Sequence, residues 1–292
     1  MRPFLKNIKK DKAGVVLCKV SVIVRTFDRK LLLARAIQSI IEQTYKDWEI
    51  VVVNNGGDGR QVDEVAASFK EHLGRIKTFH IPYARNMEFA TNVGLKNSSG
   101  EIIALLDDDD TWDRTFLEKC VDRLRNPEVF GVVCRTMLVY ESIEGHSIRI
   151  IRKTPFNPKL KSVRLYRLAR CNLFTTNAFV YKRKALESVG EYREDLQVLG
   201  DWEFNIRFAR KYRISVIEET LANYHKRTNP SNIPSMANTS MADHIKADRF
   251  IRTEYLKKGF RGDAPLLIGM LIYGFGWVNR AVLLLKKILK SG

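Results

Sequence analysis

Cysteine is scarce and scattered in this chain. Only Cys18, Cys120, Cys134 and Cys171 occur in 292 residues, with no CxxC spacing. That excludes a zinc knuckle and a vicinal redox pair, and it fits a reducing, cytosolic setting. Long apolar runs are also missing: a spanning helix wants about 20 apolar residues, and the stretch Pro265 to Val278 falls short before Asn279 and Arg280. The start, MRPFLKNIKKDKAG, has no apolar stretch of the roughly 7 to 15 residues that a secretory signal requires. A solvated basic arm over residues 1–19 is expected. There is no internal repeat and no low-complexity segment. Acidic residues are in deficit, 33 against 50 Lys plus Arg, and the formal charge of +17 favours anionic partners: phosphorylated substrates, anionic lipid headgroups or nucleic acid.

What is present is enough apolar residue to fill the core of one large α/β domain with an appendage, or of two modest domains. Val20 to Val24 and Glu49 to Val53 are compact β-branched runs, and Leu31 to Gln43 between them has helical spacing, which makes a βαβ unit. Val62 to Leu73 reads as a helix and Ile76 to Ile81 as a strand. A helix over Phe89 to Lys96 then leads through a turn at Asn97 to Gly100 into the apolar run Ile102 to Leu106. This alternation predicts a mostly parallel sheet with helices on its faces. Thr115 to Arg125 reads as a helix and Val129 to Tyr140 as a strand.

Arg149 to Arg170 follows, with eight basic residues and no acidic one. Two readings stand for it: a solvated, loop-rich insertion, or an acceptor-facing or phosphate-facing surface on which Arg164, Arg167 and Arg170 share a helical face. Met241 to Lys258 has the pattern of a polar amphipathic helix. The apolar and lysine-rich stretch after Pro265, with Tyr273, Trp277, Lys286, Lys287 and Lys290, reads either as a helix lying on an anionic membrane surface or as a helical hairpin packed on the catalytic domain or a twin subunit.

Ligands of open α/β sheets bind beyond the carboxyl ends of the strands, and here those ends are polar. The first strand is followed by Arg25, Thr26, Phe27 and Asp28, the second by Asn54, Asn55, Gly56, Gly57 and Asp58, and the run at 102–106 by Asp107, Asp108, Asp109 and Asp110. Four adjacent carboxylates repel one another unless a hard cation or ordered hydrogen bonds compensate. Oxygen ligands favour Mg2+ or Mn2+, and Asp107 and Asp109 on one side of an extended segment would suffice beside a substrate phosphate. The competing reading is an acidic turn in which Asp110 caps a helix starting near Thr111. Such an ion, set against a diphosphate leaving group, would offset the charge that builds there. Asp201, in LGDWEFNIRFARKY, is a candidate general base with Glu203 two residues on, although a carboxylate near a helix N-terminus is as often a cap. His225 is a candidate for metal or phosphate, and Arg85 for a diphosphate. Each is also consistent with an ordinary surface role.

Taken in order, VSVIVRTFDR, AIQSIIEQTYKDWEIVVVNNGGDG, ATNVGLKNSSGEIIALLDDDDTW and LGDWEFNIRFA resemble glycosyltransferase family 2, whose members have the nucleotide-diphosphosugar transferase fold called GT-A. The resemblance covers Val20 to Trp112, with a second block near Gly190 to His225. It implies that Thr26, Phe27 and Asn55 line the pocket for the nucleotide base, that Asp107 and Asp109 meet the ribose, diphosphate and a Mn2+ or Mg2+ ion with His225 nearby, and that Asp201 is the base; Asp28, Arg85 and Asp108, by their places after strands, complete the expected donor pocket. It also implies direct displacement with inversion at the sugar. The sequence departs from the family pattern at Arg25, where a proline is usual, at Asp28 in place of asparagine, and at Asn54 and Asn55 in place of paired aspartates. An asparagine can meet a pyrimidine edge as donor and acceptor.

The expected chain is then a basic arm (1–19), a catalytic domain (20–235, with its nucleotide-sugar half at 20–112 and its acceptor half at 113–235) and a C-terminal helical extension (236–292). Its expected donor is a nucleotide-diphosphate sugar, first among them a UDP-sugar. The expected acceptor is a saccharide or lipid-linked saccharide of bacterial surface polysaccharide synthesis, met in the cytoplasm or at the inner face of an anionic membrane. A GT-A-like scaffold without turnover is the alternative. No nucleic-acid motif accompanies the charge, so no nucleic-acid partner is expected.

Overall fold

The structure is a computed structural model that describes residues 18–145, 147–227, 241–263 and 265–276. The first half is built on four parallel strands: β1 (Val20–Thr26), β2 (Trp48–Asn55), β3 (Ile76–Ile81) and β4 (Ile102–Asp107). They are joined by α1 (Lys30–Ile41), α2 (Gly59–Ser68) and α3 (Met87–Lys96). The expected strands and helices are present, and β1, β2 and β4 each run one or two residues further toward their polar ends than the apolar runs suggest. The helix expected over 62–73 instead ends at Ser68, where Phe69 leaves helical geometry, and a 3-10 turn over Lys70–Arg75 finishes the connection.

The second half continues the same sheet. β5 (Thr111–Trp112), α4 (Phe116–Leu124), β6 (Gly131–Glu144), β7 (Ser147–Pro155), α5 (Leu165–Arg170), β8 (Phe179–Lys182), α6 (Leu186–Val189), α7 (Gly200–Lys211) and β9 (Ile214–Arg227) follow in the chain. Across the sheet the order is β3-β2-β1-β4-β8-β6-β9-β5, with β7 paired to β6. Parallel pairing holds among the first four strands and between β6 and β9, whereas β8, β7 and β5 pair antiparallel. Part of the basic stretch 149–170 is therefore strand and helix, because β7 has a long partner in β6.

Successive side chains of a strand point to opposite faces. Val20, Val22 and Val24 accordingly pack under α1, α2 and α4, while Ile23 and Val51 pack under α3, α5 and α7. The same alternation sends Arg25 to the second face. Gly94 is the contact point of α3 with β1, since a Cβ there would lie 2.3 Å from Ile23 Cγ2.

α8 (Met241–Phe260) and a further helix over 266–276 complete the described chain. Close approaches of Gly259 to Leu266, of Gly269 to the Tyr255 carbonyl and of Arg252 to the Ile272 carbonyl show that the two run antiparallel. Ile251, Tyr255 and Ile272 belong to the core on the α7 face. The described part of the extension is thus a helical hairpin packed on the α7 face of the sheet domain. No helix among the described residues is long and apolar enough to cross a membrane. The basic arm up to residue 17 and the lysine-rich segment 277–292 lie outside the described residues.

Candidate active site

The carboxyl ends of β2, β1 and β4 are adjacent, so their polar residues come together at one edge of the sheet. Two clefts open there. The first, ≈ 270 Å³, is walled by Thr26, Phe27, Asn55, Asp107, Asp109 and Arg227. The second, ≈ 400 Å³, is walled by Glu88, Asn172, Thr176, Asp201, Lys226 and His244 among others. Arg25, Met87, Asp107, Tyr224 and Lys226 line both, so the clefts meet at Asp107.

Asp108 and Asp109 form a turn closed by the bond from the Asp110 amide to the Asp107 carbonyl, 3.0 Å. The segment is therefore bent where an extended one was expected, and Asp107 and Asp109 still reach the same cleft. The four carboxylates have different surroundings. Asp107 accepts from Arg25 Nε at 2.9 Å, through Oδ1. Asp109 accepts through Oδ2 from Arg29 at 3.1 Å and from Arg227 at 2.6 Å. Asp108, 2% exposed, takes Thr26 Oγ1 at 2.7 Å and Arg29 at 3.0 Å, which ties the β4 end to the β1 turn. Burial, reinforced by Asp109, pushes its carboxyl up to about 7, against the pull of Arg29 and Thr26. Asp110 is buried and accepts the His225 amide at 2.9 Å. It caps no helix, because Thr111–Trp112 instead pair with β9 and α4 begins at Phe116.

For a divalent ion the fit is partial. The hydrogen bonds to Asp107 and Asp109 fall on one oxygen of each, so two carboxylates can present their second oxygens to a cation. That number suits Mg2+ or Mn2+ when a diphosphate supplies further oxygens. His225 does not fit in this arrangement: Nδ1 lies 2.7 Å from Glu141 and Nε2 lies 3.0 Å from Thr111 Oγ1, so both ring nitrogens are engaged. Glu141 is held in place by Arg35 at 2.8 Å, and the pair orients the ring. Among the described residues no three histidine, cysteine or acidic side chains converge as a metal cluster.

Thr26, Phe27 and Asn55 wall the first cleft. Asn55 also clasps the backbone of Arg85, donating to its carbonyl at 2.8 Å and accepting from its amide at 3.0 Å. Arg85 itself is exposed and stacks over Phe89, outside the cleft wall. Asp28 also stands outside that wall: its φ of 51°, tolerable for aspartate, turns its carboxylate to accept the Asp58 amide at 2.7 Å and so joins the β1 and β2 turns.

Asp201 stands in the first turn of α7, on the wall of the second cleft, and accepts from Asn172 at 2.8 Å and Thr176 at 3.2 Å. Burial raises its pKa, against the amide of Trp202 and the hydroxyl of Thr176. Glu203 turns to the core, paired with Arg207 at 2.8 Å and accepting from Tyr255 at 3.1 Å. Sequence reasoning did not select Arg25, Arg29, Arg227, Tyr224, Lys226 or Glu88 as site residues. Arg25 stands out in the sequence as the first residue of a polar strand end and as a departure from the proline pattern, and position past a strand end could have suggested Arg29. Nothing local distinguishes Glu88 from an ordinary acidic residue in a first helical turn. Arg227 Nε and Nη1 are buried with no hydrogen-bond partner, so the first cleft offers cationic donors that the protein itself does not satisfy.

This sheet, with paired clefts at its strand ends, is the GT-A architecture of nucleotide-sugar transferases. The family model for glycosyl transferase family 2 matches residues 21–190, and the chain belongs to that family; it is a transferase enzyme. One relative is a UDP-Glc:alpha-D-GlcNAc-diphosphoundecaprenol beta-1,3-glucosyltransferase, WfgD, of Escherichia coli, 33% identical over 129 residues. That match covers 44% of this chain and 48% of the relative, so this chain spans about half of its length. S. aureus TarS in complex with UDP-GlcNAc superposes with a TM-score of 0.68 at 20% identity, covering 89% of this chain and 71% of that one. The mannosyltransferase PcManGT of Pyrobaculum calidifontis, in complex with GDP-Man and Mn2+, superposes with a TM-score of 0.60 at 21% identity, covering 88% and 69%. At such identities these two likenesses speak for the fold.

Proposed function

We propose that this enzyme moves a sugar from a nucleoside-diphosphate donor to an acceptor hydroxyl with inversion, Asp201 acting as the general base. The observation that carries the reading is the pair of clefts meeting at Asp107, one walled by unsatisfied cationic donors and the other by Asp201. A donor diphosphate in the first cleft would take hydrogen bonds from Arg227 Nε and Nη1, and the base would lie against Phe27 and Asn55. Asp107 and Asp109 would hold a divalent ion whose chemistry is to offset charge on the departing diphosphate. Asp201 would take the proton of the acceptor hydroxyl as that oxygen attacks, held in aim by Asn172 and Thr176. A single base with no second carboxylate acting as nucleophile suits one displacement.

A UDP-sugar is the first donor to try, since an asparagine at the base turn can meet a pyrimidine edge and TarS is bound to UDP-GlcNAc. GDP-Man in PcManGT makes guanine the second. A saccharide on a lipid diphosphate is the acceptor we favour, by likeness to the acceptor named for WfgD. Action at the cytoplasmic face of an anionic membrane, in surface polysaccharide synthesis, accords with that acceptor and the +17 charge.

The test is a panel of nucleotide sugars with Mn2+ or Mg2+, reading nucleoside-diphosphate release. We expect release from one donor class, falling at least about a hundredfold in Asp109→Ala. A well-folded wild type that turns over no donor and binds no nucleotide would leave a scaffold without turnover as the better description.

A further inference from the structure

Glu88 carries a carboxyl oxygen that neither the fold nor the proposed chemistry accounts for. It lies in the first turn of α3, is 5% exposed and lines the second cleft. Its Oε1 side is packed against α7 so closely that a Cβ on Gly200 would come within 2.1 Å of it, and the Gly200 amide favours its anion. That contact supplies the cap that Leu199, held at φ 64° with no capping side chain, does not give to α7. Oε2, however, is buried with no hydrogen-bond partner. A buried carboxyl oxygen without a donor is costly and uncommon, and capping α7 leaves it unexplained. The groups around it are Arg25 on β1 and Asp201 on α7, with Tyr224 and Lys226 of β9 and His244 of α8 elsewhere on the cleft wall. None of them bonds Oε2.

We propose that Glu88 is a specificity-determining residue: its Oε2 takes a hydrogen bond from a second hydroxyl of the acceptor, beside the hydroxyl that Asp201 deprotonates. This rests on the reading of Asp201 as the base. The pairing makes the cleft a reader of neighbouring hydroxyls, so the acceptor end is a sugar with a free hydroxyl next to the attacking one. A simple alcohol fills only the Asp201 half. An acceptor whose neighbouring hydroxyl is blocked leaves Oε2 as unsatisfied as it is in the free enzyme.

The smallest molecules that separate the two cases are glycerol, with vicinal hydroxyls, and 1-propanol, with one. Wild type, Glu88→Gln and Glu88→Ala are each given the donor selected by the panel above and an equimolar mixture of the two alcohols, and the ratio of glycosyl-glycerol to glycosyl-propanol is read by mass spectrometry. Because the ratio is internal to each protein, a general loss of activity does not move it; circular dichroism and nucleotide affinity report folding. We expect the wild type to favour glycerol by about tenfold beyond its count of hydroxyls, the size of one hydrogen bond to a charged group. The alanine variant should lose the preference and the glutamine variant, which keeps an acceptor oxygen, should retain part of it. A wild type without preference, or a folded alanine variant that keeps it, would overturn the assignment and leave Glu88 as a cap of α7. No turnover by the wild type would overturn the transferase reading, and this one with it.

Discussion

Asp201 and Glu203 lie two residues apart on one helix and have opposite fates. Two residues are a little over half a helical turn, so when one faces the cleft the other faces the core. Asp201→Asn should lower kcat about 10²- to 10⁴-fold with nucleotide affinity retained. Glu203→Gln should instead cost about 3 kcal/mol in urea melts by leaving Arg207 without its carboxylate partner. Because burial raises the Asp201 pKa, the acid limb of the kcat profile should stand above the ordinary aspartate range, as a base must be ionised to act. Glu88 offers a stability test of its own environment. Burial lifts its pKa from 4.5 to about 7, with Asp201 adding and Arg25 opposing. A raised folded pKa gives stability that is full below 4.5 and lost as pH climbs through 7. Glu88→Gln should therefore melt above wild type at pH 8, by up to about 3 kcal/mol, and the gap should close toward pH 4.5. The sequence shows these carboxylates and their nearness to helix starts; it does not show which have unsatisfied atoms, since the groups around Glu88 come from positions 25 and 200.

At the scale of elements, the site depends on three strand ends being held level. Glu49, near the start of β2, is the fastening at the other end of the same strands. Its carboxylate accepts from Ser21 on β1 at 2.7 Å, from the Ser99 amide ahead of β4 at 2.6 Å, and from Lys19 at 3.0 Å and Lys77 at 3.2 Å. Burial opposes the charge, but the Ser99 and Ser21 donors with Lys19 outweigh it and hold the pKa well below 4.5. Glu49→Gln should lose about 3 kcal/mol at neutral pH. The difference should shrink progressively as pH falls from 4.5, where Glu49 of the unfolded chain protonates, toward the depressed pKa of the folded group, where the advantage is gone. The strands themselves were legible from runs such as Val20 to Val24. The fastening was not, because Glu49 stood inside an apolar run with partners 28 and 50 positions away.

At the scale of the molecule, one sheet runs through both halves of the catalytic domain, and the two clefts are formed by elements from each. Nucleotide binding should therefore stabilise the whole chain. With a nucleoside diphosphate at about 100 times its Kd, a gain of about 2.7 kcal/mol is expected, seen as a rise of several degrees in Tm that requires Mn2+ or Mg2+. Asp109→Ala should abolish the metal-dependent part of that rise, and an equal rise without any divalent ion would remove the metal from the donor site.

The sequence by itself determined the alternation of strands and helices as far as residue 140, the family, and the places where polar residues follow strands, because apolar periodicity and strand-end chemistry are local. It could not separate four neighbouring aspartates, nor show which groups meet the ring of His225. Tertiary structure decided those matters. Arg25, Arg29 and Arg227 divide Asp107, Asp108 and Asp109 among themselves, and Glu141 with Thr111 engages both nitrogens of His225. Each of those contacts joins positions about 80 to 120 apart. The role of an ionisable side chain follows from the charges and donors that packing brings to it, which sequence spacing does not encode.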